Sequence, residues 1–280
     1  MLQKSYEKKD SGSLFVIPTP IGNMQDITFR AVETLNKVDI VYAEDTRTSS
    51  VLFNYYKIKT PLKACHLYNE NKIKYKVIEE LKSGKNVALI SDQGTPLLSD
   101  PGYELVKEAI ENKITVIALP GASALLPALN MSGKEANKFL FFGFLNSKNG
   151  AAKKELENLK DLEYTIVLYE SPHRLIKTLE NIYQVMGNRN LSICREISKI
   201  HEEIFRGTVK EAIETYENPR GEIVIVLEKG EKTINIDSLM DEIKKEISNG
   251  MSNSDAVKLI SKKYGVSKNL LYNKNEEIKK

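Results

Sequence analysis

From Leu14 to Leu119 the chain alternates short β-branched runs with amphipathic stretches of helical period. Strand runs fall at Leu14–Ile17, Ile40–Ala43, Leu62–His66, Val87–Ile90 and Thr115–Leu119. Helical periodicity falls at Thr28–Lys37, Ser49–Tyr56, Lys72–Lys82 and Gly102–Glu111. A strand that returns through a helix comes back parallel to its predecessor, so this order predicts a mostly parallel α/β sheet. Asp26 or Thr28 is the expected N-cap of the first helix, and Ser83-Gly84 ends the third. Such sheets take ligands beyond the carboxyl ends of their strands. The loops after the first, fourth and fifth strands are therefore the places to look. They read Pro18-Thr19-Pro20-Ile21-Gly22-Asn23, Ser91-Asp92-Gln93-Gly94-Thr95-Pro96 and Pro120-Gly121-Ala122-Ser123-Ala124.

A second α/β unit begins near Leu125. Strands are expected at Phe139–Gly143, Thr165–Tyr169, Leu191–Arg195, around Glu203–Phe205 and at Glu222–Leu227. Helices are expected at Ala151–Leu159, Pro172–Val185 and Val209–Tyr216, and the polar run 146–152 reads as a loop. The later strands are joined too closely for helical crossovers, which predicts a mixed sheet. After Gly230 the pattern becomes short helices, Asp237–Ser248, Ser254–Tyr264 and Ser267–Asn275, separated by Asn249-Gly250 and Gly265-Val266. Helix, tight turn and helix is helix-turn-helix grammar. The expected divisions are 1–123, 124–230 and 231–280.

Length agrees, since 280 residues correspond to about two domains. Hydrophobic residues make up 41% and charged residues 28%, enough for cores and too apolar for disorder. Two cysteines allow at most one disulfide, which excludes a disulfide-stapled secreted domain and makes a reducing cytoplasm the expectation. The longest apolar runs are about five residues, against the roughly 20 of a membrane helix. The polar, lysine-bearing start has no apolar core, so no signal peptide is expected. The net charge of +3 averages +5 in the last 25 residues and −2 in the preceding 255.

Familiar signatures are missing: no G-x-G-x-x-G, no Walker lysine loop, no C-x-x-C and no second histidine after His201-Glu202. With three histidines no metal site is expected. What remains is the set of Gly/Pro loops, together with polar clusters where strands become turns. These clusters are Ala43-Glu44-Asp45-Thr46-Arg47, Tyr169-Glu170-Ser171-Pro172-His173-Arg174 and Cys194-Arg195-Glu196. Each loop alone is either a tight βα turn or a ligand cradle. Each acid or base alone is either a cap or ion-pair member or a catalytic group. Several at one set of strand ends favour a site.

These same segments, in this order, resemble the tetrapyrrole-methylase-like (class III) methyltransferases, and among them the bacterial enzymes that methylate a cytidine 2′-hydroxyl in the decoding region of 16S ribosomal RNA. Asp100-Pro101-Gly102-Tyr103, Lys199 and Gly221-Glu222 extend the likeness over Leu14–Lys229, and Lys262–Tyr272 extends it into the tail. Gln93 stands where the family usually has a small residue, and Ala122 where it often has proline. The resemblance implies two α/β domains, S-adenosylmethionine (AdoMet) in the cleft between them, a homodimer, and the small ribosomal subunit as partner. Its implied cofactor shell is Pro20, Ile21, Gly22, Asp92, Gly94, Thr95, Pro96, Gly121, Ser123 and Ala124. AdoMet has no pyrophosphate, which accounts for the missing dinucleotide glycines.

In-line attack by a ribose hydroxyl gains most from alignment and from exclusion of water, with a proton acceptor adding to it. The candidate acceptors are Asp45, Glu170 and His173. Arg47, Arg174 and Arg195 are candidates to hold RNA phosphates or to orient the acids. The tail, with Lys262, Lys263 and Lys268, is either a solvated end or a module that docks on RNA. Two other readings compete. One is a corrin or porphyrin C-methyltransferase of the same fold. The other is a non-catalytic nucleic-acid-binding protein that senses a ligand.

Overall fold

The computed structural model describes residues 2–5, 10–66, 69–230 and 236–272, with only the backbone of 236 and 237. The chain separates into two compact units, 1–160 with 164–229, and 161–163 with 230–280.

The larger unit opens with β1 (Ser13–Val16), α1 (Phe29–Lys37), β2 (Ile40–Ala43), α2 (Thr46–Tyr56) and β3 (Leu62–Ala64). It continues through α3 (Glu70–Lys82), β4 (Val87–Ile90), α4 (Tyr103–Glu111) and β5 (Thr115–Ala118). The five strands form one sheet in the order β3-β2-β4-β1-β5, every pair parallel. β2 and β4 are buried at all four positions, as strands covered on both faces must be. Alternation splits their side chains between two cores. Tyr42, Val87 and Leu89 pack with Val77, Leu81 and Leu105, while Val41, Ala88 and Ile90 pack with Leu35, Phe53 and Ile58.

Local chemistry sets the helix starts. Thr28 caps α1 by accepting from the Ala31 N–H at 3.0 Å. α2 begins three residues before the expected Ser49, because the Asp45 carboxylate accepts from the Arg47 N–H at 2.8 Å. α4 is capped from a distance: the buried Glu70 carboxylate accepts from the Gly102 and Leu105 N–H groups at 3.1 Å each.

The second sheet follows α5 (Leu125–Ser132) and contains β6 (Phe139–Phe144), β7 (Thr165–Glu170), β8 (Asn190–Arg195), β9 (Glu203–Thr208) and β10 (Ile223–Leu227). Its helices are α6 (Asn149–Leu159), α7 (Leu175–Met186) and α8 (Val209–Thr215). The order is β6-β7-β10-β8-β9, with β6 and β7 parallel and the other pairs antiparallel, the mixed sheet expected. Two local expectations change. α6 starts inside the polar run 146–152, because Ala152, Leu156 and Leu159 bury one helical stripe. Pro172–Arg174 is a 3-10 turn before α7 rather than its first turn. Ile21, from the loop after β1, packs into this sheet's core with Ala128, Val167, Ile197 and Val224.

The smaller unit holds α9 (Ile236–Ser248), α10 (Asn253–Tyr264) and helical residues 268–272 around Leu239, Ile243, Val257, Ile260 and Leu271. The expected third helix, Ser267–Asn275, is helical over 268–272; residues 273–275 lie outside the described residues. Among the described residues no helix is long and apolar enough to cross a membrane.

Candidate active site

The loops after β1, β4 and β5 meet at one edge of the first sheet. Thr19 and Gly94 exchange two backbone hydrogen bonds of 2.8 and 3.0 Å, and Thr95 Oγ1 donates to the Ala122 carbonyl at 2.9 Å. Gly121 permits the third loop to press on the first, since a Cβ there would lie 2.7 Å from Pro18 Cβ. These loops and the second sheet bound a cavity of about 310 Å³. Ile21, Leu98, Ala124, Ile197, Ile223 and Val224 make its apolar wall. Tyr169 also lines it, set edge-on to Phe141 and Phe144 at 4.9 and 5.7 Å.

The expected cofactor residues divide. Ile21, Gly94, Thr95, Ser123 and Ala124 line this cavity. Pro20, Gly22 and Asp92 line a neighbouring cavity of about 210 Å³, and Pro96 and Gly121 line neither. Gln93 lines both. Backbone strain gathers here. Leu97, Ser99, Glu196 and Ser198 have φ of 74°, 71°, 53° and 68°, left-handed conformations worth about 1–3 kcal/mol of strain each.

Asp100, quoted above without a role, also lines the larger cavity. Burial, then the neighbouring Glu44 carboxylate, pushes its pKa up to about 6; a Ser91 hydrogen bond opposes this, and among the described residues no basic side chain offsets it. Glu44 and Asp92 are shifted up too, each first by burial and then by a neighbouring carboxylate. The sequence signal for all three was an acid directly after a strand or beside a glycine turn.

The expected proton acceptors are placed differently. Asp45 is held by Arg47, with contacts of 2.6 and 3.1 Å, which pull its pKa down to about 2. Glu170 lines the larger cavity at 3% exposure with its oxygens filled. It accepts from the Ser171 N–H at 2.8 Å and hydroxyl at 3.2 Å, and from Thr178 Oγ1 at 2.5 Å. His173 is exposed, its Nε2 3.5 Å from Ser171 Oγ.

The arginines are similarly committed. Arg174 donates to the Leu145 and Asn146 carbonyls, and Arg195 pairs with Glu203 at 2.6 Å and donates to the Arg220 carbonyl. Only the Arg47 side chain among the three is largely exposed, at 89%. In the smaller unit Lys262 and Lys268 are exposed, while Lys263 pairs with Glu242 at 2.9 Å.

A network absent from the expected shell closes the far side. Lys199 Nζ bridges Glu196 at 2.9 Å and Glu222 at 3.1 Å. Burial alone would lower the lysine pKa, but the two carboxylates hold it above its ordinary value. Gly22 lies against this lysine: an added Cβ would meet its side chain and the Ile197 carbonyl.

Two α/β sheets with a loop-lined cleft, together with the family match over most of the chain, place it in the class of methyltransferases of the tetrapyrrole-methylase type. Residues 13–213 match the Tetrapyrrole (Corrin/Porphyrin) Methylases family. A solved uroporphyrin-III C-methyl transferase from Thermus thermophilus, complexed with S-adenosyl homocysteine, shares the fold at a TM-score of 0.56 and 17% identity, over 79% of this chain and 98% of that one. The Bacillus subtilis "Ribosomal RNA small subunit methyltransferase I" is 42% identical over 95% of this chain and 94% of its own length. The relative of the same name from Thermotoga maritima is 47% identical over 77% of this chain and 98% of its own length. The chain belongs to the ribosomal RNA small subunit methyltransferase I family, a branch of the tetrapyrrole methylases.

Proposed function

We propose that this protein transfers a methyl group from AdoMet to the 2′-oxygen of a cytidine ribose in the 16S rRNA of the small ribosomal subunit. The observation that carries this is the identity of 42% to the Bacillus subtilis relative over nearly the whole of both chains. The larger cavity fits the cofactor chemically. Its apolar wall suits an adenine ring, and the Thr95 and Ser123 hydroxyls suit polar groups at its ends. The Asp100 carboxylate, without a basic partner among the described residues, suits a cation. AdoMet, when bound, supplies an electrophilic methyl carbon on a positively charged sulfur that leaves neutral.

The chain's own part is to align the hydroxyl and to exclude water. Asp45 at a pKa of about 2 is poorly matched to accept a hydroxyl proton near neutral pH, and the Glu170 oxygens already accept from Ser171 and Thr178. The test is AdoMet-dependent methylation of small subunits that lack the modification. One methyl group at a cytidine ribose, resistant to alkaline cleavage at that linkage, is the expected product. Transfer to a base, or to a precorrin-type tetrapyrrole instead of the subunit, overturns the reading.

A further inference from the structure

A second cavity, of about 210 Å³, neighbours the cofactor cavity. It is bounded by the loop after β1, the loop after β4 and the start of α2. The loop residues divide between the two cavities. Ile21 and Gly94 face the cofactor side, whereas Pro20, Gly22 and Asp92 face the other. Thr19 lines the second cavity, its bridge partner Gly94 lines the first, and Gln93 lines both.

Three features say what the second cavity takes. Met24, Val51 and Leu52 give it apolar walls. The Ser49 hydroxyl on its lining belongs to a residue only 4% exposed and has no hydrogen-bond partner among the described residues. Asp92 adds a carboxylate. Apolar walls with a few polar atoms suit a base and its ribose, and about 210 Å³ admits one nucleoside-sized group and no duplex. α2 lines the cavity with Val51 and carries Arg47 and Tyr55 one turn to either side on the same helical face; Val51 and Tyr55 are each 58% exposed, and Arg47 is exposed too. Exposed aromatic and arginine side chains together are how proteins hold unstacked RNA bases and their backbone.

We propose that the second cavity is the acceptor pocket: it receives a single nucleotide turned out of the RNA, and the Val51–Tyr55 face of α2 stacks the base beside it. This rests on the rRNA methyl-transfer reading above. The two cavities adjoin at Gln93, which lines both, so the ribose hydroxyl and the methyl carbon come together there.

Thr48→Trp tests the pocket, because Thr48 lines it from an exposed position and its replacement fills the cavity without entering a core. AdoMet affinity by calorimetry is expected to stay within about twofold while methylation of small subunits falls about 100-fold or more, the scale of misplacing a reactant. Tyr55→Ala cannot block the cavity and checks the stacking face independently. Its KM for subunits is expected to rise about tenfold, with kcat little changed. A Thr48→Trp protein that methylates at more than half the normal rate overturns the pocket, as an unchanged KM for Tyr55→Ala overturns the stacking face. If the unaltered chain methylates no subunit, the function itself falls and the pocket with it.

Discussion

The two sheets present opposite electrostatic edges to the same cleft. On the second sheet every prominent charge is spent. Glu170 is filled by Ser171 and Thr178, Arg174 is tied to two carbonyls, Arg195 to Glu203, and Lys199 to Glu196 and Glu222. On the first sheet Glu44, Asp92 and Asp100 accept hydrogen bonds but pair with no lysine or arginine among the described residues, and all three have raised pKa values. A satisfied edge is a rigid wall that places a ligand. An unsatisfied edge holds charge in reserve for one. Charge without a cationic partner therefore lies on the parallel sheet, and the mixed sheet offers side chains already fixed by partners.

The largest effect that can break this contrast is at Glu170. Replacing it with leucine leaves buried donors from Ser171 and Thr178 unmet, so chemical denaturation is expected to show a loss of about 2–4 kcal/mol of stability. Unchanged stability with abolished turnover would instead make Glu170 a reacting group and dissolve the contrast.

Asp100→Asn sharpens the other side. Binding a cation favours the ionised carboxylate, so AdoMet affinity of the unaltered protein is expected to rise with pH through about 6 and to level off above it. The asparagine variant is expected to lose that dependence and to bind about tenfold more weakly at pH 8, the equivalent of one pKa unit. Calorimetric titrations across pH 5–8 check both. A retained inflection near pH 6 would move the titrating group elsewhere, to Glu44 or Asp92.

The smallest effect is expected at Arg47. Its pairing with Asp45 is solvent-exposed, so its loss has little consequence for the fold. Arg47→Ala should leave AdoMet affinity alone and reduce the salt dependence of RNA binding by about one unit of slope. An unchanged slope would leave the first-sheet edge without a phosphate contact.

Much of this was legible along the chain. The alternation of β-branched runs and amphipathic stretches predicted all five strands of the parallel sheet, and Thr28 was one of two expected caps for α1, whereas the Asp45 cap was missed and α2 starts three residues earlier than expected. The three cleft loops were legible as Gly/Pro runs at strand ends. What was not legible lies far apart in sequence. Thr178 reaches back to Glu170, Glu70 caps α4 more than thirty residues away, and Lys199 closes over Gly22. An acid next to an arginine looks the same on paper whether the pair is a reserve or a finished ion pair.

The amino-acid order by itself determined the elements, their parallel winding and the edge where a ligand must sit, because propensity, capping and crossover geometry act over a few residues to a few turns. Only the tertiary structure decided which of the two cavities each loop residue lines, and which charges are already neutralised. Those depend on desolvation and on partners brought in from distant strands, and a carboxylate's chemistry follows its surroundings more than its position in the chain.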